Sequence, residues 1–229
     1  MKIAIMQPYL LPYIAYWQLI RAVDKFIVYD DVAYIKQGFI NRNYILLQKQ
    51  KFLFTLNIIN ASSFRKINEI QVGNNAGKIL KTVEHAYSRA KCFMHTFPVI
   101  ENILLNREKN LARYITYSLK SICEYLGIST QILLSSELDK RVNLSGQAQL
   151  FNICRQFDCH HYINSIGGQA LYDKPVFENQ GITLKFLRTN NIVYPQFENE
   201  FIPQLSIIDM LMFNTPQEIA PFLTAYALV

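Results

Sequence analysis

The sequence predicts an α/β fold: a mostly parallel sheet built from βαβ units, with flanking helices and a helical insertion at about residues 76–127. Three observations carry this. The chain opens with a strand–helix–strand series inside its first 31 residues, the size of a βαβ unit. A second such series runs from Tyr162 to Leu187. Between them, apolar residues recur at the 3.6-residue period of helices packed on a core.

Lys2 to Met6 is a short apolar run stopped by Gln7-Pro8 and reads as a buried strand. Pro12 suits the first turn of a helix that carries Ile14, Trp17, Leu19, Ile20 and Val23. Lys25-Phe26-Ile27-Val28-Tyr29 is a second buried strand, ending at Asp30-Asp31. A right-handed crossover would place both strands in one parallel sheet. Residues 34–75 differ. Phe52 to Ile59 is a strand candidate, Ile67 to Val72 a shorter one, and Gly73-Asn74-Asn75 a turn. A helix is expected over Ala76–Ala90 and a long one from Pro98 to Leu126, with Gly127 as its stop. Ile128–Leu134 reads as a strand, and Ser145 can cap a helix reaching about Phe157. Tyr162-Ile163-Asn164, a helix near Gln169–Glu178, and Ile182–Leu187 form the second series. The last helices begin near Ser206 and after Pro216. No repeat or linker divides residues 1–229, so one domain is expected.

Composition narrows the class. Of 229 residues, 51% are hydrophobic and 17% charged, which argues against disorder. The start lacks a signal peptide's apolar core and cleavage site, and no window holds about 18 uninterrupted apolar residues. A cytoplasmic protein with no membrane span is expected. Cys92, Cys123, Cys154 and Cys159 form no CxxC pair, and Cys123 and Cys154 fall in apolar helical patterns. His85, His95, His160 and His161 show no zinc spacing. From Lys36 to Lys120 there are 14 basic against 4 acidic residues, whereas Ser121–Val229 has 6 against 10. A basic middle suits a small anionic ligand such as a nucleotide or phosphorylated sugar, or an acidic partner. The absence of a basic run or a binding module argues against nucleic acid. A homo-oligomer is compatible with the pattern.

Candidate site residues sit at strand ends, where open α/β sheets bind ligands. Gln7, Pro8 and Tyr9 follow the first strand. Asp30 and Asp31 end the second and could hold Mg²⁺ beside phosphates or accept a hydrogen bond from a ribose; with Lys36 they are the catalytic candidates. Asn41, Arg42 and Asn43 place a planar charged fork between amides, which suits phosphate or carboxylate. Asn164 and Ser165 run into Gly167-Gly168, which permit close backbone approach, followed by Tyr172. Gln196 is a further binding candidate. Ser206-x-x-Asp209 and Thr215-x-x-Glu218 read as structural helix caps. The expectation is that Gln7, both aspartates and Arg42 converge on one hollow.

These segments together resemble the WbqC-like family. The residues concerned are Lys2–Tyr9, Asp24–Val32, Asn41-Arg42-Asn43, Tyr162–Ser165 with Gly167-Gly168, and Leu205–Asp209. The likeness covers nearly the whole chain in order; Ala15 stands where the family usually has glycine. It implies a bacterial protein associated with surface-polysaccharide, chiefly O-antigen, biosynthesis. It carries over no catalytic residues. Three functions follow as expectations. The first is a transferase acting on a nucleotide-linked or amino sugar, with acyl or aminoacyl transfer as one form. The second is a nucleotidylyltransferase-like enzyme using a nucleotide and Mg²⁺, by analogy with HIGH-type enzymes whose paired histidines this chain lacks. The third is a non-catalytic binding protein of the same pathway.

Overall fold

A computed structural model describes residues 1–140, 144, 146–197 and 200–229. In chain order the elements are β1 (Lys2–Met6), α1 (Ile14–Arg21), β2 (Lys25–Val28), β3 (Arg42–Leu47), β4 (Gln50–Thr55), β5 (Ile58–Ile59) and β6 (Gln71–Val72). They continue with α2 (Ala76–Tyr87), α3 (Phe93–Leu104), α4 (Leu111–Tyr125), β7 (Gln131–Leu134), α5 (Gly146–Gln156) and β8 (His161–Ser165). The last are α6 (Lys174–Glu178), β9 (Thr183–Thr189), α7 (Ile207–Phe213), α8 (Pro216–Ile219) and β10 (Tyr226–Leu228).

Six strands form the main sheet in the order β10-β9-β8-β1-β2-β7. Every pair is parallel except β10 on β9. Numbered by their sequence within this sheet, the strands run 6-5-4-1-2-3, the order of doubly wound dinucleotide-binding folds. The chain winds outward from β1 through β2 to β7, then returns to β8 on the other side of β1. The order therefore reverses between β1 and β8.

Strand alternation explains the layering. Ala4, Phe26 and Val28 point to one face and join a large apolar cluster with α1, α2, α3, α4 and α7. Ile3, Ile5 and Ile27 point to the other and pack with α5, Tyr162 and Phe177. Both faces are covered, as continuous apolar strands require. Trp17 is fully buried and donates its indole N–H to the Pro12 carbonyl (2.9 Å). All four cysteines are buried and unbridged. No helix among the described residues is long and apolar enough to cross a membrane.

The βαβ start and the β8–α6–β9 series match the sequence reading, as does Gly127, which ends the α4 region at φ +67°. Several boundaries move. Helix α1 begins two residues after Pro12, with Tyr13 as its N-cap. Pro98 lies inside α3, so the expected single helix is two, broken before Asn110, whose side chain caps α4. The segment around Asn41-Arg42-Asn43 is not a loop: Arg42 and Asn43 begin β3, paired with β4. The cap assigned to Ser145 lies outside the described residues.

The β3–β4 turn consists of Gln48 and Lys49, both at positive φ (50° and 64°). Two left-handed residues in a two-residue hairpin are a type I′ turn, normally Asn-Gly. A side chain in that region costs about 1 kcal/mol or more per residue. Lys49→Gly should therefore raise unfolding stability by about 1 kcal/mol, read from the urea midpoint at unchanged m-value.

Candidate ligand crevice

The loop after β1 forms one wall of a crevice. Pro8, which cannot donate to a ladder, lies just beyond the last residue of β1 and is itself buried. Leu11 sits at φ +45° in the following turn, a conformation that needs external support in a side-chain-bearing residue. That support is present. Asn43 Nδ2 donates to the carbonyls of Leu10 (3.2 Å) and Leu11 (2.9 Å), and Ser206 Oγ donates to Leu11 (2.6 Å). Asn43 thus positions the loop from behind.

The opposite wall follows β8. Asn164 is buried; its Oδ1 accepts from the Ser165 N–H (2.7 Å) and its Nδ2 donates to Tyr162 Oη (3.0 Å). The chain then turns through a short 3₁₀ segment, Ile166–Leu171. The two glycines there differ. A Cβ on Gly168 would meet Asn164 Oδ1 at 3.1 Å, whereas one on Gly167 would meet nothing closer than Ser165 Oγ at 4.0 Å.

Between these walls lies a cavity of about 500 Å³, lined by Gln7, Tyr9, Asn164, Ser165, Gly167, Gly168 and Tyr172 from the sequence candidates. It sits at the carboxyl ends of β1 and β8, where the strand order reverses. Tyr13 and Tyr16 of the α1 region, Tyr29, Ala15 and Leu19 complete much of the lining. Tyr9 and Tyr16 rings lie 5.7 Å apart, and Tyr16 donates its hydroxyl to the Gln7 carbonyl (2.8 Å). Burial pushes the hydroxyls of Tyr9, Tyr16 and Tyr29 above their ordinary range, so they remain neutral donors at physiological pH. No charged side chain is among the lining residues.

The other sequence candidates lie elsewhere. Asp30 is buried and accepts from the Ser136 N–H (2.9 Å) and hydroxyl (2.6 Å); burial raises its carboxyl above the ordinary value against those bonds. Asp31 pairs with Lys140, while its Oδ1 is buried with no hydrogen-bond partner among the described residues. The Asp31 charge acts on Tyr29 of the crevice wall. Lys36 is exposed in the loop whose Ile35 lines the crevice. Arg42 donates Nε to the Gly38 carbonyl (3.0 Å) and an Nη to Gln37, tying its own loop. Asn41 bonds Tyr34 and the Leu56 carbonyl. Gln196 bonds Ile202 and Asp209. The expected hollow of Gln7, Asp30, Asp31 and Arg42 is therefore not formed; of the four, Gln7 alone lines the crevice. Among the described residues, no group of three or more His, Cys, Asp or Glu could hold a metal ion.

Ser206 caps α7 through the Ile208 N–H (3.3 Å), but Asp209 does not close a capping box. Its carboxylate is fully buried and accepts from Tyr87 (2.8 Å), Tyr194 (2.7 Å) and Gln196 (2.6 Å). Thr215 and Glu218 do form the expected reciprocal box.

Fold and site together define a doubly wound α/β protein with an uncharged, tyrosine-walled crevice at its switch point. The sequence model of the WbqC-like protein family matches residues 7–221, and the chain belongs to that family. It is similar to the Mycobacterium tuberculosis protein named Uncharacterized protein Rv1507c, at 30% identity over 227 residues, covering 97% of each chain. No solved structure matches it.

Proposed function

We propose that the chain is a transferase of bacterial surface-polysaccharide assembly, with its crevice taking a nucleotide-linked or amino sugar. One observation carries this: a tyrosine-walled cavity of about 500 Å³ lies where the strand order reverses between β1 and β8. Doubly wound sheets take nucleotides at that position, and the volume is that of a small-molecule site. Tyrosine rings offer faces for a base or sugar ring. The amides of Gln7 and Asn164 and the Ser165 hydroxyl suit sugar hydroxyls, and the open backbone at Gly167 lets a phosphate approach closely.

In acyl or aminoacyl transfer, the sugar amine nitrogen attacks the acyl carbonyl. The C–N bond forms, the bond to the donor oxygen or sulfur breaks, and the amine proton passes to a base. That base is the departing donor oxygen or sulfur itself, because no charged side chain lines the crevice.

The test is thermal unfolding and calorimetric titration with UDP, UDP-N-acetylglucosamine and dTDP-linked sugars. A ligand at 100-fold its Kd should stabilise the fold by about 2.7 kcal/mol, roughly 5–10 °C for a chain of this size. No response to any sugar nucleotide would overturn the reading. The strand order also favours a nucleotidylyltransferase reading, which ATP and CTP with Mg²⁺ in the same titration decide.

A further inference from the structure

A second cavity, of about 350 Å³, opens beyond the carboxyl end of β9. It shares Tyr13 with the crevice, and consecutive residues divide between them: Ile14 lines one and Ala15 the other, Ile166 one and Gly167 the other. The two hollows are thus neighbours separated by one exposed tyrosine side chain and the start of the 3₁₀ segment.

Their chemistry differs. The crevice lining holds no charged side chain, whereas the second cavity is lined by Arg188 with the amides of Asn190, Asn191 and Gln204. Among the described residues, the side chains of these four make no hydrogen bond or ion pair. By contrast, two other polar side chains of that lining are engaged: Thr189 donates to Gln18 (2.8 Å) and Tyr194 to Asp209 (2.7 Å). The scaffold is fixed, for Asn190 N–H bonds the Ala225 carbonyl (3.0 Å) and Arg188 pairs along β10 with Ala227. All four are exposed: the Arg188 guanidinium near the end of β9, the Asn190 and Asn191 amides just after it, and the Gln204 amide from the segment before α7, a donor set suited to an oxyanion held in bidentate fashion.

We infer that this cavity is a separate binding site for the carboxylate or phosphate group of a small molecule. Its location stands on the cavity and Arg188 alone. Its role as the site of a second substrate, facing the sugar across Tyr13, rests on the transferase reading above.

Nuclear magnetic resonance separates the two. Backbone amides of Asn190 and Asn191 report on the second cavity, and those of Gly167 and Gly168 on the crevice. Inorganic phosphate and acetate, titrated separately, should shift the Asn190 and Asn191 signals saturably, and the tighter of the two identifies the oxyanion. Arg188→Lys, which keeps the charge but loses the fork, should weaken this at least threefold, and Arg188→Ala at least tenfold. UDP should move Gly167 and Gly168 equally in wild type and both variants. The inference is overturned if neither anion moves Asn190 and Asn191, or if their shifts persist in Arg188→Ala. A UDP response lost with Arg188 would also overturn it, by making the two hollows one site. If UDP fails in the wild type while the Arg188-dependent response remains, the crevice reading falls and the oxyanion site stands.

Discussion

Asp209→Ala should destabilise the protein by about 3–5 kcal/mol, a fall in Tm of roughly 10 °C. The carboxylate joins α7 to two other segments: Tyr87 at the end of α2, and Tyr194 and Gln196 in the stretch after β9. Tyr87 Oη in turn accepts the Leu46 N–H (2.8 Å), so the network reaches β3. Removing the acid leaves two hydroxyls and an amide without an acceptor in a dry interior, which costs more than the bonds themselves contribute. Asp209→Asn should cost only about 1–2 kcal/mol, because its single oxygen can still serve Tyr194 and Gln196 at the Oδ2 position. The two variants therefore separate loss of acceptors from loss of charge.

The same residue gives a pH signature. Burial raises the Asp209 carboxyl above its ordinary value, against the hydrogen bonds from Tyr194, Tyr87 and Gln196. A raised folded-state pKa means that folding favours the protonated acid. Its contribution is complete below the unfolded value, near 3.9, and is lost as pH rises through the folded value. The penalty of Asp209→Ala should then be largest near pH 4 and shrink toward neutral pH. Urea unfolding of both proteins across this range checks the sign. Asp30, also raised by burial, is present in both and cancels.

How much of this could be read from the chain depends on how local the cause is. β1, α1 and β2 were legible because run length and the Gln7-Pro8 stop are local signals. β3 was not, because its hairpin turns on Gln48-Lys49 and carries no Asn-Gly or Asp-Gly mark. Pro98 suggested a helix start, yet it lies inside α3, which begins at Phe93. Short β10 depends wholly on its pairing with β9. The same division holds at the site. Strand-end position pointed to Gln7, Tyr9, Asn164, Ser165, Gly167, Gly168 and Tyr172, which line the crevice, and to Pro8, which does not. It could not tell that Ser136 and Lys140, more than 100 positions away, hold Asp30 and Asp31. Nor could it tell that Arg42 folds back on its own loop. Tyr13 and Tyr16 were passed over because a helix start rich in aromatics resembles any apolar face. Their three-residue spacing across the start of α1, directly after a strand-end turn, was the available signal.

Gly167→Phe should abolish binding to the crevice, raising the Kd for any sugar nucleotide that the wild type binds by at least 100-fold, while Tm shifts by no more than about 2 °C. The asymmetry between the paired glycines makes this a clean test. Gly167 lines the cavity, its φ is not left-handed, and a Cβ there meets nothing closer than Ser165 Oγ at 4.0 Å. A ring at this position can therefore enter the hollow without straining the backbone. Gly168→Ala is the contrasting case. Its methyl would press on Asn164 Oδ1 at 3.1 Å, the atom that accepts the Ser165 N–H, so the turn itself must shift. That variant should lose both stability, by about 1–3 kcal/mol, and affinity. Loss of affinity in Gly167→Phe with the fold intact assigns binding to the space between β1 and β8. Undiminished affinity would show that the ligand lies somewhere else, however well the cavity suits it.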